Sequence, residues 1–122
     1  MKNALLAMGP LLCAVAVLAG AFGAHALKTR LDPGALVLWE TASRYLMYGG
    51  LGITLVGLFA LMGGHRGLFW AGWLLVAGAL VFSGTVGALA LGAPRWLGAV
   101  TPIGGLLLIT GFLAFAWSAC RL

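Results

Sequence analysis

The chain has 122 residues, 63% hydrophobic and 7% charged, with mean hydropathy +1.13 and a formal charge of +5. Soluble domains carry about 25% charged residues, so the composition excludes an ordinary water-soluble domain and fits one integral membrane domain over residues 1–122. Its basic residues stand singly and build no continuous basic face, which argues against nucleic acid as a partner and for the lipid bilayer.

The charges leave four uncharged runs, residues 3–27, 45–65, 67–94 and 96–120, of 25, 21, 28 and 25 residues. A hydrocarbon core of about 30 Å needs about 20 apolar residues at 1.5 Å rise per residue, so each run can cross it. We therefore expect an all-α fold, a four-transmembrane-helix bundle with antiparallel up-down neighbours, short loops and spans near 4–27, 45–63, 68–91 and 97–119.

The first run follows Lys2 and carries Ala24-His25-Ala26 near its end, the outline of a cleavable signal. A signal's apolar region is about 7 to 15 residues, and this run is longer, so it reads as a retained span. Ala16, Gly20 and Ala24 recur every four residues with Gly23 beside them, a stripe of small residues that lets helix backbones approach.

Asp32 and Pro33 then make a helix start, with a capping carboxylate followed by a proline at the first helical position. Continued to Met62, that helix would be about 45 Å long at 1.5 Å per residue. That exceeds the hydrocarbon layer, so residues 34–44 are expected as an interfacial helix before the second span, anchored by Trp39. Gly49, Gly50, Gly52 and Gly57 weaken helix propensity in water, which membrane packing can override; Gly49 and Gly52 are assigned to helix packing.

Gly63-Gly64-His65-Arg66-Gly67 is a tight turn with a solvated His65, and it makes the second and third spans antiparallel neighbours. The third span opens with the interfacial aromatics Phe69, Trp70 and Trp73, carries Gly84 as a packing position, and ends near Leu91. After the turn at Pro94, Arg95 and Trp96 comes the fourth span, with Pro102 near its first turn and Gly104 and Gly105 as packing glycines. A faint echo of residues 22–27 in 86–91, and of 49–51 in 104–106, is compatible with a parallel repeat of two hairpins or with small-residue composition alone.

Four crossings put both termini on one side. The candidate polar site then gathers on the other: His25, Glu40, Thr41, Arg44, Tyr45, Tyr48, Ser83, Thr85, Arg95 and Thr101. Glu40 and Arg44 stand i, i+4 with the acid first, the favourable order for a helix pair. Such a pair is either a membrane-embedded functional group or an interfacial pair whose long side chains reach water. His25 can carry a proton, hold a ligand or tie two helices, the last being favoured, while Ser83 and Thr85 can bond neighbours or their own helix carbonyls. Cys13 and Cys120 have no pair spacing and read as apolar fillers. With two His, one Asp and one Glu, neither a metal site nor a cofactor is expected. No catalytic residues are assigned: only His25 with Glu40 could supply acid-base work, and the chain reads as a non-enzyme.

The segments at residues 20–27, Trp39-Glu40-Thr41-Ala42 with Tyr45, Phe82-Ser83-Gly84, and 95–105 resemble, in order, the YgdD-like (YwdK-like) family of small four-span membrane proteins. The resemblance covers nearly the whole chain. It implies a bacterial inner-membrane protein, with eukaryotic relatives associated with mitochondria, and no established biochemical activity. Family members usually carry a histidine where this chain has Gly49, so a haem held between His25 and that second imidazole is disfavoured here. Basic residues divide three to four between the two sides, too even to orient the chain, and the basic C-terminal tails of bacterial relatives imply cytoplasmic termini. The expected function is that of a non-enzymatic helix bundle, an accessory or assembly component packing into a homo-oligomer or larger membrane complex. The alternative is an oligomeric carrier or channel with a one-sided polar site for a small ion or amphiphile.

Overall fold

A computed structural model describes residues 2–63 and 66–121, without the side chains of Lys2 and Asn3; the expectation for His65 lies outside the described residues. Four helices follow one another, α1 (Lys2–His25), α2 (Pro33–Leu61), α3 (Arg66–Ala90) and α4 (Leu97–Cys120), and no strand occurs among the described residues. Each is long and apolar enough to cross a membrane.

The separate interfacial helix expected over residues 34–44 is not formed, because α2 is one unbroken helix of 29 residues, about 44 Å at 1.5 Å per residue. The Asp32 carboxylate accepts from the Ala35 N–H at 2.7 Å with Pro33 at the first helical position, and no proline interrupts the helix after that start. Protein holds its early turns: Ala42 and Ser43 are buried, and the Trp39 ring rests on α1 at Gly23. Length beyond the hydrocarbon core is accommodated by tilt or by the headgroup layer.

Packing runs in chain order, α1 on α2, α2 on α3 and α3 on α4, with α2 and α4 meeting only briefly. The neighbours are antiparallel, since Gly9 meets Gly50 at one end of the first pair while Gly23 meets Trp39 at the other. At the first of these ends Leu5 of α1 also reaches Gly72 of α3 beside Val56. A central apolar cluster including Ile53, Val56, Leu68, Leu75 and Ala79 joins the helices. The same end carries the aromatic group Phe69, Trp70 and Trp73, with ring centroids 5.7 and 6.3 Å from Phe69, and Arg121 lies 5.8 Å over the Trp117 ring. Phe69, Trp70 and Trp73 are the residues expected as interfacial aromatics.

The buried small residues of α1 are Gly9, Ala16 and Gly23, which corrects the expected stripe: Gly20 has open space around it and Ala24 is exposed. A four-residue stripe drifts around a helix of 3.6 residues per turn faster than a seven-residue one, which slips only about 20° per repeat and so keeps facing the same neighbour. The same spacing recurs in the buried sets Ser43, Gly50 and Gly57 on α2 and Gly104, Gly111 and Ser118 on α4. Gly49 and Gly52 are buried as expected, against Ala79 and Phe112, and Gly105 makes ordinary contact with Phe82. Gly84 is exposed and has no neighbour within 4 Å, so it packs against nothing in this chain.

Several of these glycines bring backbone onto backbone. A Cβ on Gly57 would lie 2.8 Å from the Leu6 nitrogen, one on Gly78 2.6 Å from the Leu108 nitrogen, and one on Gly104 2.7 Å from the Phe82 Cα. The internal echo does not extend to packing: Gly23 faces the helix that follows it, whereas Gly87 approaches Ala42 and Trp39 on the helix that precedes it. Pro102 falls in the second turn of α4, on its exposed side.

Gly57→Ala and Gly104→Ala must push two backbones apart, and each is expected to cost about 1–3 kcal/mol. Gly20→Ala, with open space around it, is expected to leave stability unchanged or raise it by up to about 1 kcal/mol. Unfolding in detergent followed by circular dichroism checks the contrast; equal effects at all three positions would refute backbone contact as the basis of the fold.

Candidate functional site

The ten polar residues share one end of the molecule and divide among several surroundings. At the α1–α2 corner the Trp39 indole Nε1–H donates to the Ala19 carbonyl at 2.7 Å, and its ring lies against Gly23 and, at its far edge, Gly87 of α3. One side chain thereby links three helices. Phe22 adds a tilted ring contact at 6.4 Å. Trp39, expected as an interfacial anchor, thus locks helices together, and the signal for this in the sequence is the small pair Ala19 and Gly23 on the preceding helix.

Outside that corner Lys28 and Glu40 help line an open depression of about 520 Å³. The Arg44 guanidinium donates to Glu40 Oε1 at 2.8 Å, with the side chains 49% and 71% exposed respectively. The pair is exposed on the surface of the chain, and where that surface meets water it is worth at most about 0.5 kcal/mol. His25 is exposed and forms no hydrogen bond to another helix among the described residues, so the expected tie between helices is not made. Arg95 is likewise exposed, in the turn before α4.

Thr41, Tyr45 and Tyr48 lie on another face of α2. With Phe82, Gly105 and Ile109 they line an apolar hollow of about 370 Å³ between α2 and α4. The Tyr45 ring stands 5.2 Å from Tyr48 and 5.0 Å from Phe82. Farther along α3, the Thr85 and Thr101 hydroxyls meet at 2.7 Å, joining α3 to α4. Ser83 faces the opposite way, into a third hollow shared with Ser43, a residue the sequence reading did not single out.

Most of these hydroxyls are satisfied locally. Thr41 donates to the Val37 carbonyl and Ser43 to that of Trp39, each four residues back, while of Thr85 and Thr101 one donates to its own helix carbonyl, at Val81 or Leu97, and the other to its partner hydroxyl. Among the described residues no group of three or more His, Cys, Asp or Glu stands where it could hold a metal ion. The arrangement supplies apolar hollows edged by hydroxyls, not one converging charged site.

The family model for the protein of unknown function DUF423 matches residues 19–105. The chain belongs to the DUF423 family. The matched segment begins at Ala19, the acceptor of the Trp39 bond, and contains all ten polar residues. A UPF0382 membrane protein of Staphylococcus epidermidis is 46% identical over 108 residues, covering 87% of this chain and 86% of the relative. One of Staphylococcus haemolyticus is 45% identical over the same shares, and one of Staphylococcus saprophyticus 44%, covering 87% of this chain and 88% of the relative. No solved structure matches the chain. With the four long apolar helices, this kinship makes the protein an integral membrane protein of an uncharacterised family.

A double-mutant cycle on Thr85→Val and Thr101→Val should give a coupling of about 0.6 kcal/mol, and no more than about 1.7, the range for hydrogen bonds between helices in membranes. Reversible unfolding in mixed micelles measures it, and a zero coupling would show that each hydroxyl relies on its own helix carbonyl.

Proposed function

We propose that this DUF423 protein is a non-enzymatic helix bundle, an accessory or assembly component that acts by packing against a second copy of itself or another membrane protein. The observation that carries the reading is the unpartnered set Gly20, Ala24 and Gly84: small residues at the exposed surface of α1 and α3, with open space around both glycines. In lipid, helices associate through small residues that allow close approach, and here that feature is left over after the chain has packed itself. The carrier or channel alternative finds less support, because His25, Glu40 and Arg44 are exposed and line no common cavity with Ser83. In the same reading the protein is akin to the YgdD-like group, resides in the bacterial inner (plasma) membrane and keeps both termini in the cytoplasm.

Cross-linking in mild detergent or native membranes should give discrete oligomers or a defined heteromeric product, and Gly20→Leu with Gly84→Leu should lower its yield several-fold without loss of helix content. A strict monomer with no cross-linked partner would overturn the reading. For orientation, a fluorescent reporter fused after Leu122 should light up and an alkaline phosphatase fusion should stay inactive; the reverse pattern would place the termini outside.

A further inference from the structure

Leu5 closes α1 against α3 at one end of the molecule, and toward the polar end the two helices part. The gap is a notch of about 180 Å³, floored by Ala42 and Ser43 of α2 and walled by Ala19 of α1 and by Leu80, Ser83 and Gly84 of α3. No ionisable side chain lines it, so its occupant is uncharged. The volume lies below the roughly 300–1,000 Å³ of pockets that enclose whole drug-sized molecules, and suits a ring or the head of a longer lipophilic molecule.

The oxygens say more. Thr41, Ser43, Thr54 and Thr110 each give their proton to a carbonyl of their own helix, the usual solution where water is scarce, and Thr85 and Thr101 place theirs on each other and on a helix carbonyl. Ser83 Oγ does neither: it is buried without a hydrogen-bond partner, in a residue only 8% exposed that forms part of the notch wall. Leaving such a group unpaired costs about 1–3 kcal/mol, so its free donor marks a place for an acceptor. Water suits the place poorly, since an ordered water wants 2–4 polar partners and the walls are almost all carbon.

Depth separates the remaining sources. Ser83 precedes the α3 end at Ala90 by seven residues, about 10 Å at 1.5 Å per residue. With α3 upright and centred across a 30 Å core, its 25 residues overhang by about 4 Å at each end and Ser83 lies roughly 7 Å inside the hydrocarbon. Lipid ester carbonyls sit at the core's edge and acyl chains carry no acceptor, so neither reaches this hydroxyl.

We propose that the notch between α1, α2 and α3 binds an uncharged lipophilic carbonyl compound, its body against the carbon walls and its oxygen accepting a hydrogen bond from Ser83. The notch shares Gly84 with the exposed small-residue surface and is separate from Gly20 and Ala24, which line the depression beside Lys28 and Glu40, and its occupancy does not require assembly.

The test uses the full chain in nanodiscs with benzophenone as the photoactivated probe and peptide mass spectrometry to locate adducts. Adducts should concentrate on notch residues such as Leu46 and Leu80, and Ala19→Phe, which fills the notch, should lower them at least about fivefold. Fluorenone should compete about three- to tenfold better than fluorene, which has the same shape without the oxygen, the factor expected of one net hydrogen bond. That preference should vanish in Ser83→Ala, a variant that removes only an unpaired oxygen and so keeps the test open if Ala19→Phe does not fold. Adducts spread evenly over outward residues such as Leu113 and Trp117, equal competition by the two compounds in the natural chain, or a preference that survives Ser83→Ala would each overturn the proposal.

Discussion

Close approach of helix backbones at glycine is the interaction on which the rest of this structure depends. In lipid the apolar side chains of an isolated helix are already in an apolar solvent, so burying them against another helix releases little free energy. What remains is dispersion, and dispersion rewards only surfaces that come into full contact. Gly57 against Leu6, Gly78 against Leu108 and Gly104 against Phe82 provide such contact by removing the one carbon that would hold the backbones apart. The 20 glycines that look like poor helix formers in a soluble context are here the condition for tertiary structure.

Serial packing follows from where those glycines are placed. Each helix has its backbone-close seams toward its chain neighbours, and α1 and α4 do not close the row into a ring by comparable packing among the described residues. An open row leaves grooves where helices one apart in sequence diverge over the helix between them. Two of the three hollows at the polar end arise in this way, one over α2 between α1 and α3, the other beside Phe82 between α2 and α4. Trp39 sets the mouth of the first, because its indole is bonded to α1 at Ala19 while its ring edge faces Gly87 of α3.

The architecture was legible in the sequence because charge is costly in hydrocarbon: the spacing of Lys, Arg, Asp and Glu alone marks four crossings, and parity then puts the polar residues at one end. Two features were not legible. The seven-residue period of Gly9, Ala16 and Gly23 was obscured by the equally regular Ala16, Gly20 and Ala24, and only a facing helix decides which stripe is buried. Residues 34–44 were assigned to the interface on length, yet the Trp39 bond and the burial of Ala42 and Ser43 hold them in the bundle, a tertiary constraint that a length argument cannot contain. The candidate polar residues do not line one cavity, since residues two apart on α2, such as Thr41 and Ser43, line different hollows.

Hydroxyls in such a bundle have two outlets, and the difference between them separates structural groups from candidate binding groups. A serine or threonine that donates to the carbonyl four residues back is self-sufficient; it asks nothing of its surroundings and can face lipid, as Thr110 does. Between Thr85 and Thr101 one hydroxyl gives its single proton to the other instead of to its own helix carbonyl, and the second accepts on a lone pair while keeping its carbonyl bond, which makes a bridge between α3 and α4. Ser83, two residues from that bridge, is buried on the other side of α3 and takes neither outlet. Position in the family match does not distinguish these hydroxyls, because residues 19–105 contain Ser83, Thr85 and Thr101 alike. Their hydrogen bonding does, and among the buried side-chain polar atoms of the described residues it singles out Ser83 Oγ, on the wall of the α1–α3 notch, as the one without a partner.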